Sequence, residues 1–273
     1  MYIETAFFRF NEALIRNSIQ NHGFNEEQVR GLFAQSIVDE LSSRFVPFPS
    51  LMVHLHKKYQ LSIDVKKSLL VDIYTNFNRN AFDPSLSNYG FSSENYIEIK
   101  YFSGRRKEGT KVATTTNTSL LLKDILRLII LTGAKQFTQK LYLLHVFDQK
   151  PEKYLAFKTQ GKGSRSWLHN LLDEAVSEKK LHINFEHEGS HFINQIGDCE
   201  IITDINLSLS TQTFTPKLNS KSYETPFLLY SYLTRIDDFN IKWKNKTLPA
   251  SNSKETYDNC RELATKLWGK KKQ

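Results

Sequence analysis

The sequence predicts an α/β protein with a mixed central sheet flanked by helices and a β-rich C-terminal extension. Three observations carry this. Two helical patterns fill residues 3–44. Strand-like runs at 68–77, 95–102 and 139–147 are interleaved with one amphipathic helix pattern at 119–131. From 181 onward the chain reads as consecutive strands. The expected division is residues 1–180 for the helices and α/β core, and 181–273 for an extension packed on it.

Residues 3–21 place Phe7, Phe10, Leu14 and Ile15 at helical spacing, and His22-Gly23 ends the pattern. Asn25 then has the form of an N-cap. Gln28 stands at the capping-box position, and Glu26 and Glu27 lie in the first turn. Val29, Leu32, Phe33, Ile37 and Leu41 form the buried stripe of this second helix, with Glu40 beside it. Pro47 and Pro49 close the pair. Residues 50–60 fit strand or helix. In a strand, His54 and His56 would share a face, but no third ligand stands near them.

The strand pattern at 68–77 holds Asp72 between Val71 and Ile73. Residues 78–94 are rich in Asn, Ser, Pro and Gly and read as a loop. The next strand, 95–102, alternates: Ile97, Ile99 and Tyr101 face one way, and Glu98, Lys100 and Phe102 the other. A carboxylate and an ammonium on a half-buried strand need partners, because desolvating a lone charge costs several kcal/mol. An antiparallel hairpin would bring Asp72 close to Glu98. Asn117 or Thr118 is the expected cap of the helix 119–131, and Gly133 its end. The near-continuous apolar run 139–147 marks a central, doubly covered strand, suited to a parallel neighbour. A helix over 166–180, strands at 181–187, 191–196 and 200–209, apolar and Lys-rich segments at 227–233 and 240–243, and a terminal helix from Lys254 complete the expectation.

The chain has 273 residues, 40% hydrophobic and 24% charged, which is ordinary for a globular protein. A formal charge of +8 suits a polyanionic partner. Two cysteines, Cys199 and Cys260, outside any C-x-x-C spacing, argue against a disulfide framework or a cysteine zinc site. Glu4, Arg9, Glu12 and Arg16 are unlike a signal peptide, and the apolar run near 120–131 carries Lys123, Asp124 and Arg127. The expectation is a soluble cytoplasmic protein without a membrane partner.

The order of a helix with Glu40, a strand with Asp72, a strand with Glu98-x-Lys100, a helix and an apolar strand resembles the PD-(D/E)-x-K nuclease superfamily, whose core is the restriction-endonuclease-like fold. The resemblance covers residues 25–150. It implies a metal-dependent endonuclease hydrolysing phosphodiester bonds of double-stranded DNA, restriction enzymes of type II among its relatives, and a homodimer. It implies one or two Mg²⁺ ions held by Asp72 and Glu98, with Lys100 acting on the attacking water and the phosphate, and Glu40 as an accessory acid. Two departures stand against it: Val71 replaces the expected proline, and the gap from Asp72 to Glu98 is long. Asp83 is a rival for the first acid but sits in an Asp-Pro turn.

Two basic segments, one with Arg105, Arg106 and Lys107 and one with Lys158, Lys162 and Arg165, would flank such a site and hold phosphates. Two other readings remain. One is a nucleic-acid-binding protein of the same fold without catalysis. The other is a zinc metallopeptidase through His187-Glu188-Gly189-Ser190-His191, which matches H-E-x-x-H but is flanked by strand residues and reads as a hairpin turn.

Overall fold

The computed structural model describes residues 2–20, 25–59, 61, 63, 69–76, 94–103, 113–132, 139–159, 163–172, 179–184, 199–215, 227–243, 245–249 and 253–269. In chain order these form α1 (Tyr2–Gln20), α2 (Glu26–Ser43), a 3₁₀ turn at Pro49–Leu51, β1 (Val53–Lys58), β2 (Leu70–Asn76), β3 (Glu94–Phe102), α3 (Thr114–Leu131) and β4 (Gln139–Phe147). A two-stranded ribbon of β5 (Lys158–Thr159) and β6 (Gly163–Ser164) follows, then α4 (Ser166–Leu171), β7 (Lys179–Asn184), β8 (Cys199–Thr215), β9 (Phe227–Trp243), β10 (Lys246–Pro249) and α5 (Lys254–Trp268).

The capping box at Asn25 forms as its residues predict. The Asn25 side chain accepts from the Gln28 N–H at 2.8 Å, and Gln28 Oε1 accepts from the Asn25 N–H at 2.9 Å. Helix α3 starts earlier than its polar residues suggest, at Thr114. Asn117 and Thr118 are inside it. Asn117 donates to the Tyr154 carbonyl at 3.1 Å, and Thr118 Oγ1 accepts from the Ala156 N–H at 2.8 Å. Tertiary partners therefore use the side chains that would otherwise compete for a cap.

Among the described residues, eight strands form one sheet in the order β1-β2-β3-β4-β9-β8-β7, with β10 on β9. The β3–β4 pair is parallel, Glu98 opposite Leu143 and Lys100 opposite His145. The pairs β1–β2, β2–β3, β4–β9, β9–β8 and β8–β7 are antiparallel. The C-terminal strands do not form a separate extension. β9 pairs directly with the core strand β4, so a boundary at residue 180 divides one continuous sheet. Residues 227–233 and 240–243 belong to the single strand β9. Lys179 and Lys180, expected at the end of a helix, open β7 instead, opposite Ile205 and Asp204.

Two apolar clusters cover the two faces of the sheet. One joins α1 and α2 to Ile97, Ile99, Tyr142, Leu144 and Val146. Within it Phe10 meets Phe33 edge-on at 5.2 Å, a favourable aromatic geometry. The other joins α3, α4 and α5 to Tyr96, Phe102, Leu141, Leu143 and Phe147. With cover on both faces, β4 is apolar almost throughout, as such a strand must be. Polar ties fix α1 to the sheet: Glu4 accepts from Tyr142 at 3.0 Å and from Arg235 at 2.8 Å. No helix among the described residues is long and apolar enough to cross a membrane.

The cap at Asn25 sets the first turn of α2. Asn25→Ala is expected to lower stability by about 1 kcal/mol, read from a denaturant titration.

Candidate active site

Strands β2 and β3 are in register from Asn76↔Glu94 to Ile73↔Ile97, and the ladder stops there. Beyond it the Ile99 N–H donates to Asp72 Oδ2 at 2.8 Å, so a side chain takes over from the strand partner. Into this place the neighbouring elements send charged groups. Arg30 of α2 holds Asp72 at 2.8 Å. Lys100 Nζ lies 3.3 Å from Glu26 of α2 and 3.9 Å from Asp124 of α3. Arg127, one turn along α3 from Asp124, pairs with both oxygens of Glu98, its Nε at 3.1 Å from Oε1. The same guanidinium reaches Asp124 at 3.4 Å. The Tyr59 hydroxyl donates to Glu98 Oε1.

The charge of Asp72 acts on both Glu98 and Lys100, and each of the three is held by a partner from a neighbouring helix. The sequence reading missed Glu26, Arg30, Asp124 and Arg127. Arg30 and the two α3 residues sit inside amphipathic helices, where charge ordinarily marks the solvent face. The usable signal was in the spacing. Asp124 and Arg127 lie three residues apart beside buried Leu121, Ile125 and Leu128, so they share a side of α3 next to its apolar stripe.

Glu40 is elsewhere. It lies fourteen residues beyond Glu26 on the same helix, about 21 Å at helical rise. Its carboxylate accepts from Arg9 at 2.7 Å and Arg44 at 2.6 Å, tying α1 to α2. The acid of α2 beside Lys100 is Glu26. Of the basic positions, Arg165 is buried and donates to the main-chain carbonyls of Ala156 and Lys158, so it builds the turn and does not face a ligand. Lys158 is exposed. Arg105, Arg106, Lys107, Lys162, Asp83, the 78–93 part of the predicted loop, the 191–196 strand and the His187–His191 pattern lie outside the described residues.

Burial and crowding tune these groups. Glu98, 2% exposed, has its pKa raised well above the carboxylate range. Desolvation is the largest cause. Arg127 opposes it, and the like charges of Asp72 and Asp124 add to it. Asp124 is pushed up to about 6 by burial, against the pull of Arg127 and Lys100. For Lys100, burial alone would favour the neutral amine, but Asp124 and Glu26 outweigh it and hold the pKa above the lysine range. Lys100 is thus a fixed cation at neutral pH. On β4, beside Lys100 in register, buried His145 is pushed down to about 3 by desolvation first and by Lys100 second. Among the described residues its Nδ1 has no hydrogen-bond partner.

Oxygen donors of this kind suit Mg²⁺, which is commonly held by one or two carboxylates with substrate phosphates completing its shell. Asp72 and Glu98 supply two. Among the described residues, no three acidic, histidine or cysteine side chains are grouped to hold an ion. The positive charge around the carboxylates comes from Arg30, Arg127 and Lys100. No protein-family model, curated protein or solved structure matches this chain.

Two outcomes follow from these charges. Arg127→Ala strands two buried carboxylates and should cost about 3–5 kcal/mol. Glu98→Gln removes the charge that Arg127 pairs with and should also lower the melting temperature at pH 8, by less than Arg127→Ala does. A further outcome concerns pH. Asp124 binds its proton more tightly folded (about 6) than unfolded (3.8), so its stability contribution is full below about pH 4 and lost as pH rises through 6. His145 runs oppositely, contributing fully above its ordinary 6.5 and losing that contribution as pH falls toward 3. Asp124→Asn should therefore shrink the loss of stability between pH 4 and 7, measured by thermal melts across that range.

Proposed function

We propose that this protein is a metal-dependent nuclease that hydrolyses phosphodiester bonds in DNA, with its centre at Asp72, Glu98 and Lys100. The observation that carries the reading is that Asp72, Glu98 and Lys100 lie where β2 and β3 part, near enough for the Asp72 charge to act on the other two, inside a helix–three strands–helix–strand run with β4 parallel to β3. A merely structural ion-pair network accounts for the pairs themselves. It does not account for four carboxylates gathered where desolvation pushes two of them toward protonation, an arrangement typical of functional sites.

Asp72 and Glu98 would hold Mg²⁺, which when bound polarises a scissile phosphate and acidifies a coordinated water. Asp72 is oriented by the Ile99 N–H and Arg30, and a cation there would share its oxygens with that guanidinium. Lys100 is held between Glu26 and Asp124 with its side chain a quarter exposed. Because its pKa is raised, it does not take a proton from water at neutral pH. Its role is electrostatic: it faces the phosphate and offsets the negative charge that builds during hydrolysis. Arg127 neutralises Glu98 and Asp124 in the absence of other cations. Double-stranded DNA is the proposed substrate. A two-fold dimer, matched to a palindromic site, is the proposed assembly.

Asp72→Ala, Glu98→Ala and Lys100→Ala are each expected to lower Mg²⁺-dependent cleavage of plasmid DNA by about 10²-fold or more while changing duplex binding only a few-fold. A Glu98→Ala protein that still cuts at the unaltered rate removes the proposed centre. If nothing is cut with any divalent metal and salt-dependent DNA binding persists, the binding-only reading stands instead.

A further inference from the structure

Between α2 and β1 the chain makes an unusual display of apolar side chains. Phe45, Phe48 and Leu51 are 93%, 75% and 71% exposed. Phe45 and Phe48 both have left-handed backbone, φ 59° and 51°, which is uncommon for a bulky residue and costs of order 1–3 kcal/mol. The segment is nonetheless built firmly. The Val46 N–H donates to the Leu41 carbonyl at 3.1 Å, the Leu51 N–H to the Phe48 carbonyl at 3.0 Å, and the Asn76 N–H to the Met52 carbonyl at 3.0 Å. Pro47 and Pro49 bracket Phe48 and stiffen it further. The phenyl rings are held outward by a rigid, strained frame.

Beneath Phe48 lies a groove of about 500 Å³, lined by Pro47, Phe48, Leu51, His54, Lys57 and Tyr74 among others, none of them acidic. Its floor is aromatic: the His54 and Tyr74 rings lie 5.9 Å apart, and Lys57 Nζ stands 6.0 Å from the Tyr74 ring. Lys58 adds a second exposed cation on the same strand. The groove runs along the strand that leads to the candidate site. Leu55↔Ile73 and Lys57↔Val71 bracket His56 and Asp72, and His56 Nε2 lies 3.2 Å from Arg30, the partner of Asp72.

We infer that this groove holds a strand of nucleic acid unpaired from the duplex substrate, its bases stacked on Phe48 and the aromatic floor and its phosphates on Lys57, directed toward Asp72. Stiff aromatic faces alternating with cations are the chemistry that binds single strands without reading sequence. A second copy of the chain pairing along β1 is the rival occupant. It is disfavoured because His56 breaks the strand with φ 54° and two lysines close the edge, both features that block strand addition. The inference deepens the nuclease reading, on which it rests for the direction of the strand, but it is read by binding alone.

The test uses the full chain in chelator, with a short labelled single-stranded oligothymidine and a duplex of equal length as probes. Phe48→Gly removes the ring and keeps the left-handed backbone that glycine adopts freely, so folding is preserved. It should weaken single-strand binding about tenfold and duplex binding less. Lys57→Ala should lower the salt dependence of single-strand binding by roughly 0.7 in log–log slope. Unchanged single-strand affinity in both variants overturns the inference, even if Glu98-dependent cleavage is found. Phe48-dependent binding with no cleavage under any metal upholds the groove and sinks the nuclease reading. A sedimenting mass that falls on Phe48→Gly while oligonucleotide binding stays level gives the face to a second copy and overturns the inference.

Discussion

Glu98 sits in the fifth place of a nine-residue strand, under α3, with almost no water against it. A carboxylate there is tolerated only because Arg127 and Tyr59 close on it. That requirement organises much of the molecule. Helix α3 must lie so that Arg127 reaches β3 while Leu121, Ile125 and Leu128 enter the core beside it. The parallel β3–α3–β4 passage sets this placement, and His145 arrives next to Lys100 through the same register.

The second constraint is the parting of β2 from β3. A ladder continued past Ile73↔Ile97 would bring Asp72 and Glu98 directly opposite each other, where like charges repel. Asp72 instead turns to the Ile99 N–H and to Arg30, and the first turn of α2 comes into contact through Glu26. The Asn25 cap is therefore more than helix punctuation, because it fixes the turn that delivers Glu26 and Glu27 to the cluster. Strain recurs nearby at Phe48 and His56. His56 stands within β1 and Phe48 before the 3₁₀ turn that leads into it; strain of this kind is commonly tolerated where it serves function.

Local features were the most legible. The capping box, the apolar stripe of α2 and the alternation of β3 all depend on neighbours within a few residues, and each forms as its residues predict. Glu40 shows where that kind of reading ends. A buried acid beside an apolar stripe fits an ion pair as well as a site, and only the position of Arg9 on another helix decides between them. Arg165 gives the same lesson: a cation in a Gly-rich basic loop closes a turn by donating to carbonyls.

Hydrophobic period and caps are local properties, and they marked most of the helices, the core strands and the unusual placing of Asp72, Glu98 and Lys100 on apolar strands. Only the tertiary structure decided that the C-terminal strands continue the same sheet, that Glu26 rather than Glu40 stands beside Lys100, and that Asp124 and Arg127 complete the cluster. Those depend on contacts between segments far apart in the chain. Strand neighbours and salt-bridge partners are chosen by packing and desolvation across the whole core, which no window of residues contains.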